Sequence, residues 1–139
     1  MAHTSVFLKG LTPEAKLALG GDFLEIARFP FRIGRESRLH DSIGQGTSSR
    51  RRSDSTPNND LYLIEPGTLL NISREHCMID ERDGTYVLVD RGSSCGTIVE
   101  GELVGDHRKG GSRRLRDQDV IIVGTSESRF IFKFVVTII

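Results

Sequence analysis

The segment 71–77, Asn-Ile-Ser-Arg-Glu-His-Cys, holds a dense group of hydrogen-bond donors. Ser73 supplies a hydroxyl, Arg74 a guanidinium and His76 an imidazole, all just before a strand-like run. A guanidinium is planar, always charged and able to hold two oxygens at once, which suits it to phosphate groups. These residue types therefore indicate an anion-binding loop.

Two further segments carry matching chemistry. Gly34-Arg35 follows the strand-like segment 31–33, and the glycine-punctuated segment 90–97 adds hydroxyls at Ser93 and Ser94. Arginine, serine and free backbone N–H groups are the donor set for a dianionic phosphate. Because the segments are far apart in sequence, only a sheet that gathers its loops at one end could unite them in one site.

The order of these motifs resembles that of forkhead-associated (FHA) domains, which bind phosphothreonine in partner proteins. The matching fragments are Gly34-Arg35, Ser73-x-x-His76 and Ser93-Ser94-x-Gly96-Thr97, and they span most of the chain. The resemblance implies that Arg35 clamps the phosphate and that Ser73 and Ser94 contribute hydroxyls. It also implies that Arg74 faces the phosphopeptide, although a surface arginine facing water fits the sequence nearly as well.

The resemblance assigns supporting roles to four more residues. His76 is expected to brace the loops from beneath by hydrogen bonding, rather than to bind phosphate or to act in catalysis. Gly34 and Gly96 are expected to permit tight turns, and Thr97 to start the next strand.

Cys95 departs from the family pattern, in which an asparagine at this position holds the main chain of the bound peptide. A thiol donates and accepts hydrogen bonds only weakly. Losing one such pair costs about 0.5 to 1.5 kcal/mol, or roughly threefold to tenfold in affinity. We therefore expect Cys95 to lie in the phosphopeptide site and to weaken binding without abolishing it.

Composition restricts the possible partners. The 139 residues include 19 basic and 19 acidic side chains, so no overall field favours nucleic acid or an anionic membrane. The tract Arg50–Arg52 has no neighbouring aromatic residues for base stacking.

The sequence lacks an apolar run long enough to span a bilayer and an N-terminal secretory pattern, so the expected location is cytoplasmic. Cys77 and Cys95 lack metal-ligand spacing and are expected to be reduced thiols, and no metal or cofactor is expected.

Short apolar runs separated by turn signals predict an all-β sandwich of about ten strands. Asp83-Gly84 predicts a tight hairpin turn. Thr12-Pro13 predicts the start of a helix of at most two turns, and Gly20-Gly21 predicts its end. We also expect a strand through Phe23–Arg28, and Gly34-Arg35 to leave the sheet. The resemblance implies the FHA version of the fold, with two mainly antiparallel sheets and ligand loops at one end.

We predict one domain over residues 1–139 with a mobile insertion at 36–59, where apolar residues are too few to offset the entropy of ordering. The insertion contains Arg-Arg-Arg-Ser-Asp-Ser-Thr-Pro, which resembles sites used by basic-directed or proline-directed kinases. If Ser53 or Thr56 were phosphorylated, the 47–56 loop could bind its own domain or a second copy.

The sequence thus predicts a non-catalytic module that recognises phosphothreonine in a partner protein, such as a Ser/Thr kinase or its substrate. The alternative is an assembly domain that uses the same scaffold to bind a folded partner without phosphate. An enzyme is disfavoured, because the chain offers no nucleophile elbow, paired metal ligands or clustered carboxylates at useful spacing.

Overall fold

The computed structural model describes residues 3–36, 58–65, 71–105 and 107–138. Within them the chain forms eleven strands and one short helix, which confirms the all-β prediction. The elements are β1 Thr4–Gly10, α1 Pro13–Leu19, β2 Phe23–Glu25, β3 Phe31–Arg35, β4 Leu61–Leu63, β5 Cys77–Arg82, β6 Thr85–Asp90, β7 Thr97–Val99, β8 Glu102–Val104, β9 Gly111–Leu115, β10 Val120–Val123 and β11 Ile131–Ile138.

The strands form a six-stranded sheet, in the order β2-β1-β11-β10-β7-β8, and a five-stranded sheet, in the order β4-β3-β5-β6-β9. All strand pairs recorded in these segments are antiparallel except β3 with β4. Parallel neighbours need a long connection, and the chain from Arg35 to Leu61 supplies one. Most of the predicted 36–59 insertion, residues 37–57, lies outside the described residues.

Alternating apolar side chains on the facing strands fill the core. On and just before β11, Phe130, Phe132 and Phe134 are buried and Val136 packs against the same cluster, because alternate residues of a strand face the same side. The five-stranded sheet contributes similarly buried residues, including Ile33, Ile79 and Leu88. The two layers therefore share one core and hold the intervening loops at fixed positions.

The local turn predictions are confirmed. Asp83 and Gly84, which connect β5 to β6, have φ values of 52° and 81°, as a tight hairpin turn requires. Thr12 caps α1 by accepting a hydrogen bond from the Ala15 N–H at 3.1 Å. The helix ends at Gly20, whose φ of 78° places it in the left-handed region.

Two strand predictions were wrong. β2 ends at Glu25 rather than Arg28, because its ladder with β1 stops where Phe7 meets Glu25 and only one more hydrogen bond, from Ile26 N to Val6 O, follows. Gly34-Arg35 does not leave the sheet, since Arg35 is the last residue of β3 and pairs with Leu63 of β4. A parallel partner from beyond the insertion was not visible in the local sequence pattern.

Candidate functional site

Arg35 lies directly against the 71–76 loop. Its backbone N–H donates to the carbonyl oxygen of Ser73 at 3.0 Å, and its Nε donates to the carbonyl oxygen of Ile72 at 2.9 Å. The side chain is half-buried, and its terminal Nη atoms make no hydrogen bond to another described residue. The guanidinium is therefore held by one edge while its two terminal nitrogens remain available to an anion.

Ser73 connects this loop to the 90–97 segment. Its Oγ accepts a hydrogen bond from the backbone N–H of Ser94 at 3.1 Å. Because the oxygen accepts here, the hydroxyl proton remains available to donate to a ligand. The structure thus brings Arg35, Ser73 and Ser94, which come from three distant motifs, to one rim of the sandwich.

His76 is fully buried beneath this rim. Its Nδ1 accepts from the Ser73 N–H at 3.0 Å, so the ring proton belongs on Nε2, which donates to the Gly96 carbonyl oxygen at 2.7 Å. Burial lowers the pKa of His76, against smaller opposing effects of the Gly96 carbonyl, Asp90 and Glu65. The neutral imidazole therefore ties the second and third motifs together from the core side.

Asp90 organises the 90–97 loop, a role that we did not assign from the sequence. Its buried carboxylate accepts from the N–H groups of Gly92 and Ser93, at 3.0 and 2.8 Å, and from the hydroxyls of Ser93 and Thr97, at 2.6 and 2.9 Å. The Ser93 hydroxyl in turn accepts from the Gly96 N–H at 2.9 Å. An aspartate two residues before a turn glycine was the available signal, because such side chains often bond their own backbone.

The two motif glycines allow the loops to approach closely. A Cβ at Gly34 would collide with the carbonyl oxygen of Arg74, and one at Gly96 would collide with that of Gly105. Gly96 also has a φ of 83°, which side-chain-bearing residues rarely adopt. Thr97 is buried and begins β7, as expected.

A second network that sequence reasoning missed supports the 71–76 loop from the side of β4. The buried side chain of Asn59 donates to the Arg74 carbonyl oxygen at 2.6 Å and accepts from Arg91 Nη1 at 2.8 Å. Arg91 also donates to the Asn58 carbonyl oxygen at 3.2 Å and lies 3.9 Å from the Glu75 carboxylate. These partners are distant in sequence, so no local pattern could have paired them.

Glu65 holds the beginning of the same loop. Its buried carboxylate accepts hydrogen bonds from the backbone N–H groups of Asn71 and Ile72, each at 2.9 Å. Since the Ile72 carbonyl accepts from Arg35, this carboxylate helps to hold the residue whose carbonyl orients the guanidinium.

The remaining predicted site residues differ in exposure. The side chain of Arg74 is exposed beside Ser73, and that of Cys95 is half-buried between Ser94 and Gly96. Cys77 is buried on β5, and burial raises the pKa of its thiol to about 12. Cys77 therefore stays protonated at neutral pH, away from the rim.

The fold and this rim define a class of protein, a β-sandwich in which loops from both sheets create a donor-rich edge. The family model of the FHA domain matches residues 31–124, and the chain belongs to this family. Comparison of the sequence with curated proteins returns no significant match. None of the helical structure in the described segments has the length and apolarity needed to cross a membrane.

Solved structures share the fold. EmbR of Mycobacterium tuberculosis, solved with a low-affinity phosphopeptide, aligns at 24% identity and a TM-score of 0.57 over 94% of this chain and 24% of its own. The FHA domain of Chlamydia trachomatis CT664 aligns at 21% identity and a TM-score of 0.57, over 94% of this chain and 96% of that domain. Full-length yeast Pml1p aligns at 19% identity and a TM-score of 0.65, over 97% of this chain and 83% of its own. The chain thus spans about a quarter of EmbR but nearly all of the CT664 domain.

Proposed function

We propose that this protein is a non-catalytic module that binds a phosphorylated segment of a partner protein, with phosphothreonine as the preferred residue. The observation that carries the proposal is the convergence of Arg35, Ser73 and Ser94 at one rim. Membership of the FHA family and the presence of a phosphopeptide in the EmbR structure support it. The preference for threonine over serine rests on the family resemblance.

The donor set suits the ligand's charge. A phosphothreonine carries close to two negative charges at pH 7 and offers three acceptor oxygens. Arg35 supplies a positive charge and two terminal nitrogens that no other described residue accepts from, while Ser73 and Ser94 supply hydroxyls. Charge-assisted hydrogen bonds are worth about 1.5 to 3 kcal/mol each, so a few of them, less the cost of ordering a peptide, give roughly micromolar affinity.

The other site residues have supporting places in the proposal. Arg74 faces the peptide, Cys95 stands where family members hold its main chain, and Gly34, His76, Gly96 and Thr97 maintain the loop geometry. The partner is a phosphothreonine-containing protein, such as a Ser/Thr kinase or its substrate, and the module acts in cytoplasmic signalling. In this proposal residues 1–139 form one domain.

Self-binding through a phosphorylated 47–56 loop is part of the proposal, although that loop lies outside the described residues. Both flanks of the 37–57 segment are attached close to the rim. Arg35 contacts the 71–76 loop directly, and the Asn58 carbonyl accepts a hydrogen bond from Arg91. A tethered segment reaches millimolar effective concentration at a site that its linker can span.

Calorimetry against a degenerate phosphothreonine peptide library tests the proposal, with phosphoserine and unmodified libraries alongside. Wild-type protein should give saturable heat with phosphothreonine peptides, and Arg35→Ala should weaken the interaction at least tenfold. Arg116→Ala is a matched control, because Arg116 is exposed beyond the end of β9. Absence of heat with every phosphorylated peptide would instead favour the alternative of phosphate-independent assembly. The observation that favours this alternative is Cys95, which stands where family members have an asparagine.

A further inference from the structure

The 105–110 loop between β8 and β9 packs against the 90–97 segment. The backbone N–H of Arg108 donates to the carbonyl oxygen of Ser93 at 2.9 Å. A Cβ placed on Gly92 would lie 3.5 Å from the Arg108 carbonyl oxygen, and one on Gly110 would lie 3.1 Å from that of Asp90. The backbone of Arg108 is therefore fixed beside Ser93, one residue before the Ser94 of the proposed phosphate site.

This loop has an unusual backbone for its sequence. His107 and Arg108 are consecutive residues with φ values of 49° and 66°. Histidine is among the side-chain-bearing residues that adopt this region more readily, but arginine is not. Residues held in sparsely populated conformations tend to cluster at ligand-binding sites. The turn itself gives no reason for a long cationic side chain at position 108.

The loop also concentrates positive charge. Arg108 and Lys109 are exposed, and so is Arg74 on the 71–76 loop, which meets the same 90–97 segment through Ser73 and Ser94. In the part of the chain that the structure describes, none of these three side chains makes an ion pair. Asp106, the acidic residue of the 105–110 segment, lies outside the described residues. Since the chain has no net charge, this basic edge is a local feature.

We propose that Arg108 and Lys109 form a second subsite that binds an anionic residue of the ligand next to the phosphothreonine. The anionic group is the carboxylate of aspartate or glutamate, or the phosphate of a second modified residue. The inference rests on the proposed function and adds to it a preference for phosphopeptides with anionic flanking residues. It also supplies a contact that offsets the weak hydrogen bonding of Cys95.

Charges on an exposed rim act mainly through electrostatic steering and weak pairing, and salt screens them. Wild-type protein should therefore bind a phosphothreonine peptide with acidic neighbours about tenfold more tightly than one with neutral neighbours at low salt. The difference should shrink towards unity in about 1 M salt, where the screening length is only about 3 Å.

The test compares three proteins: wild type, Arg108→Ala/Lys109→Ala, and the control Arg114→Ala/Arg116→Ala. The control removes the same charge from two exposed residues that are farther from the loop. At about 3.3 Å per residue, Arg114 lies about 10 Å along β9 from Gly111, and Arg116, just beyond the strand, about 16 Å. Each protein is titrated with phosphothreonine peptides that have neutral, carboxylate or doubly phosphorylated flanks. Thermal unfolding of each variant checks that it is folded.

The proposal requires the Arg108/Lys109 variant to bind the neutral peptide like wild type and to lose the preference for anionic flanks, while the control keeps it. A preference for carboxylates alone or for a second phosphate alone would identify the source of the anion. The subsite is overturned if wild type binds the neutral phosphopeptide without preferring acidic flanks, or if the double variant keeps that preference. If wild type binds none of the phosphopeptides, the proposed function fails as well.

Discussion

The backbone N–H of Ser94 donates to the hydroxyl oxygen of Ser73 across 3.1 Å, so two loops 21 residues apart share one side chain. The same serine accepts from Arg35 through its carbonyl oxygen and donates to His76 through its N–H. Ser73 is therefore the point at which all three motifs meet. A donor set held in this way loses little conformational freedom when a ligand binds.

Replacing Ser73 with alanine removes the donor that we assign to the phosphate and the acceptor of the Ser94 N–H. We expect affinity for a phosphothreonine peptide to fall by about tenfold or more, because a hydrogen bond to a charged group is worth about 1.5 to 3 kcal/mol. Calorimetry measures the change, with Ser5→Ala in β1 as a control outside the three loops. Unchanged affinity in the Ser73 variant would remove this hydroxyl from the site.

Replacing Cys95 with asparagine restores the residue type that the family resemblance leads us to expect. The amide can donate and accept strongly where the thiol cannot, so binding should tighten by about threefold to tenfold. Cys95→Ala should leave affinity near the wild-type value, because little hydrogen bonding is lost. If the alanine variant binds much more weakly than wild type, the thiol itself contributes to binding.

The sequence predicted the fold class because periodic apolar runs and turn residues are local signals. Asp83-Gly84 and the alternating phenylalanines of β11 were visible in this way. The placement of Arg35 within β3 was not, since its parallel partner β4 enters from far along the chain.

The motif residues themselves could be picked out, but the groups that hold them could not. Asn59 and Arg91 act through hydrogen bonds between segments that are up to 33 residues apart, and Glu65 through bonds to the backbone of Asn71 and Ile72. Such pairings depend on the assembled sandwich and leave no periodic trace in the sequence. The left-handed backbone of Arg108 also lacked a signal, because arginine is not among the residue types that favour it.

Gly34→Ala should destabilise the protein, because the added methyl group would collide with the Arg74 carbonyl oxygen and approach the Asn59 amide nitrogen to 2.6 Å. Overpacking of this kind costs about 1 to 3 kcal/mol, and we expect the melting temperature to fall by several degrees. Gly21→Ala is the matched control, since nothing lies within 4 Å of its Cβ position. Equal melting temperatures for the two variants would contradict the close approach of β3 and the 71–76 loop.

His76 gives stability a defined pH dependence. Protonation would place a second proton on Nδ1, facing the Ser73 N–H that now donates to it. Burial lowers the pKa of His76 in the folded protein, whereas the unfolded chain has the ordinary value near 6.5. The unfolded state therefore binds more protons between these two pKa values. The contribution of the neutral His76 to stability is complete above about pH 6.5 and is lost as the pH falls towards the lower pKa of the folded protein.

Urea unfolding at closely spaced pH values between 7.5 and 5 measures this effect. The free energy of unfolding should decrease with falling pH by up to about 1.4 kcal/mol per pH unit from this one group. His76→Gln should be less stable at pH 7.5 and should lose that slope, because the side chain no longer titrates. His3→Gln, a change at an exposed residue, should retain it. If His76→Gln kept the wild-type slope, the pH dependence would have to be assigned to another group.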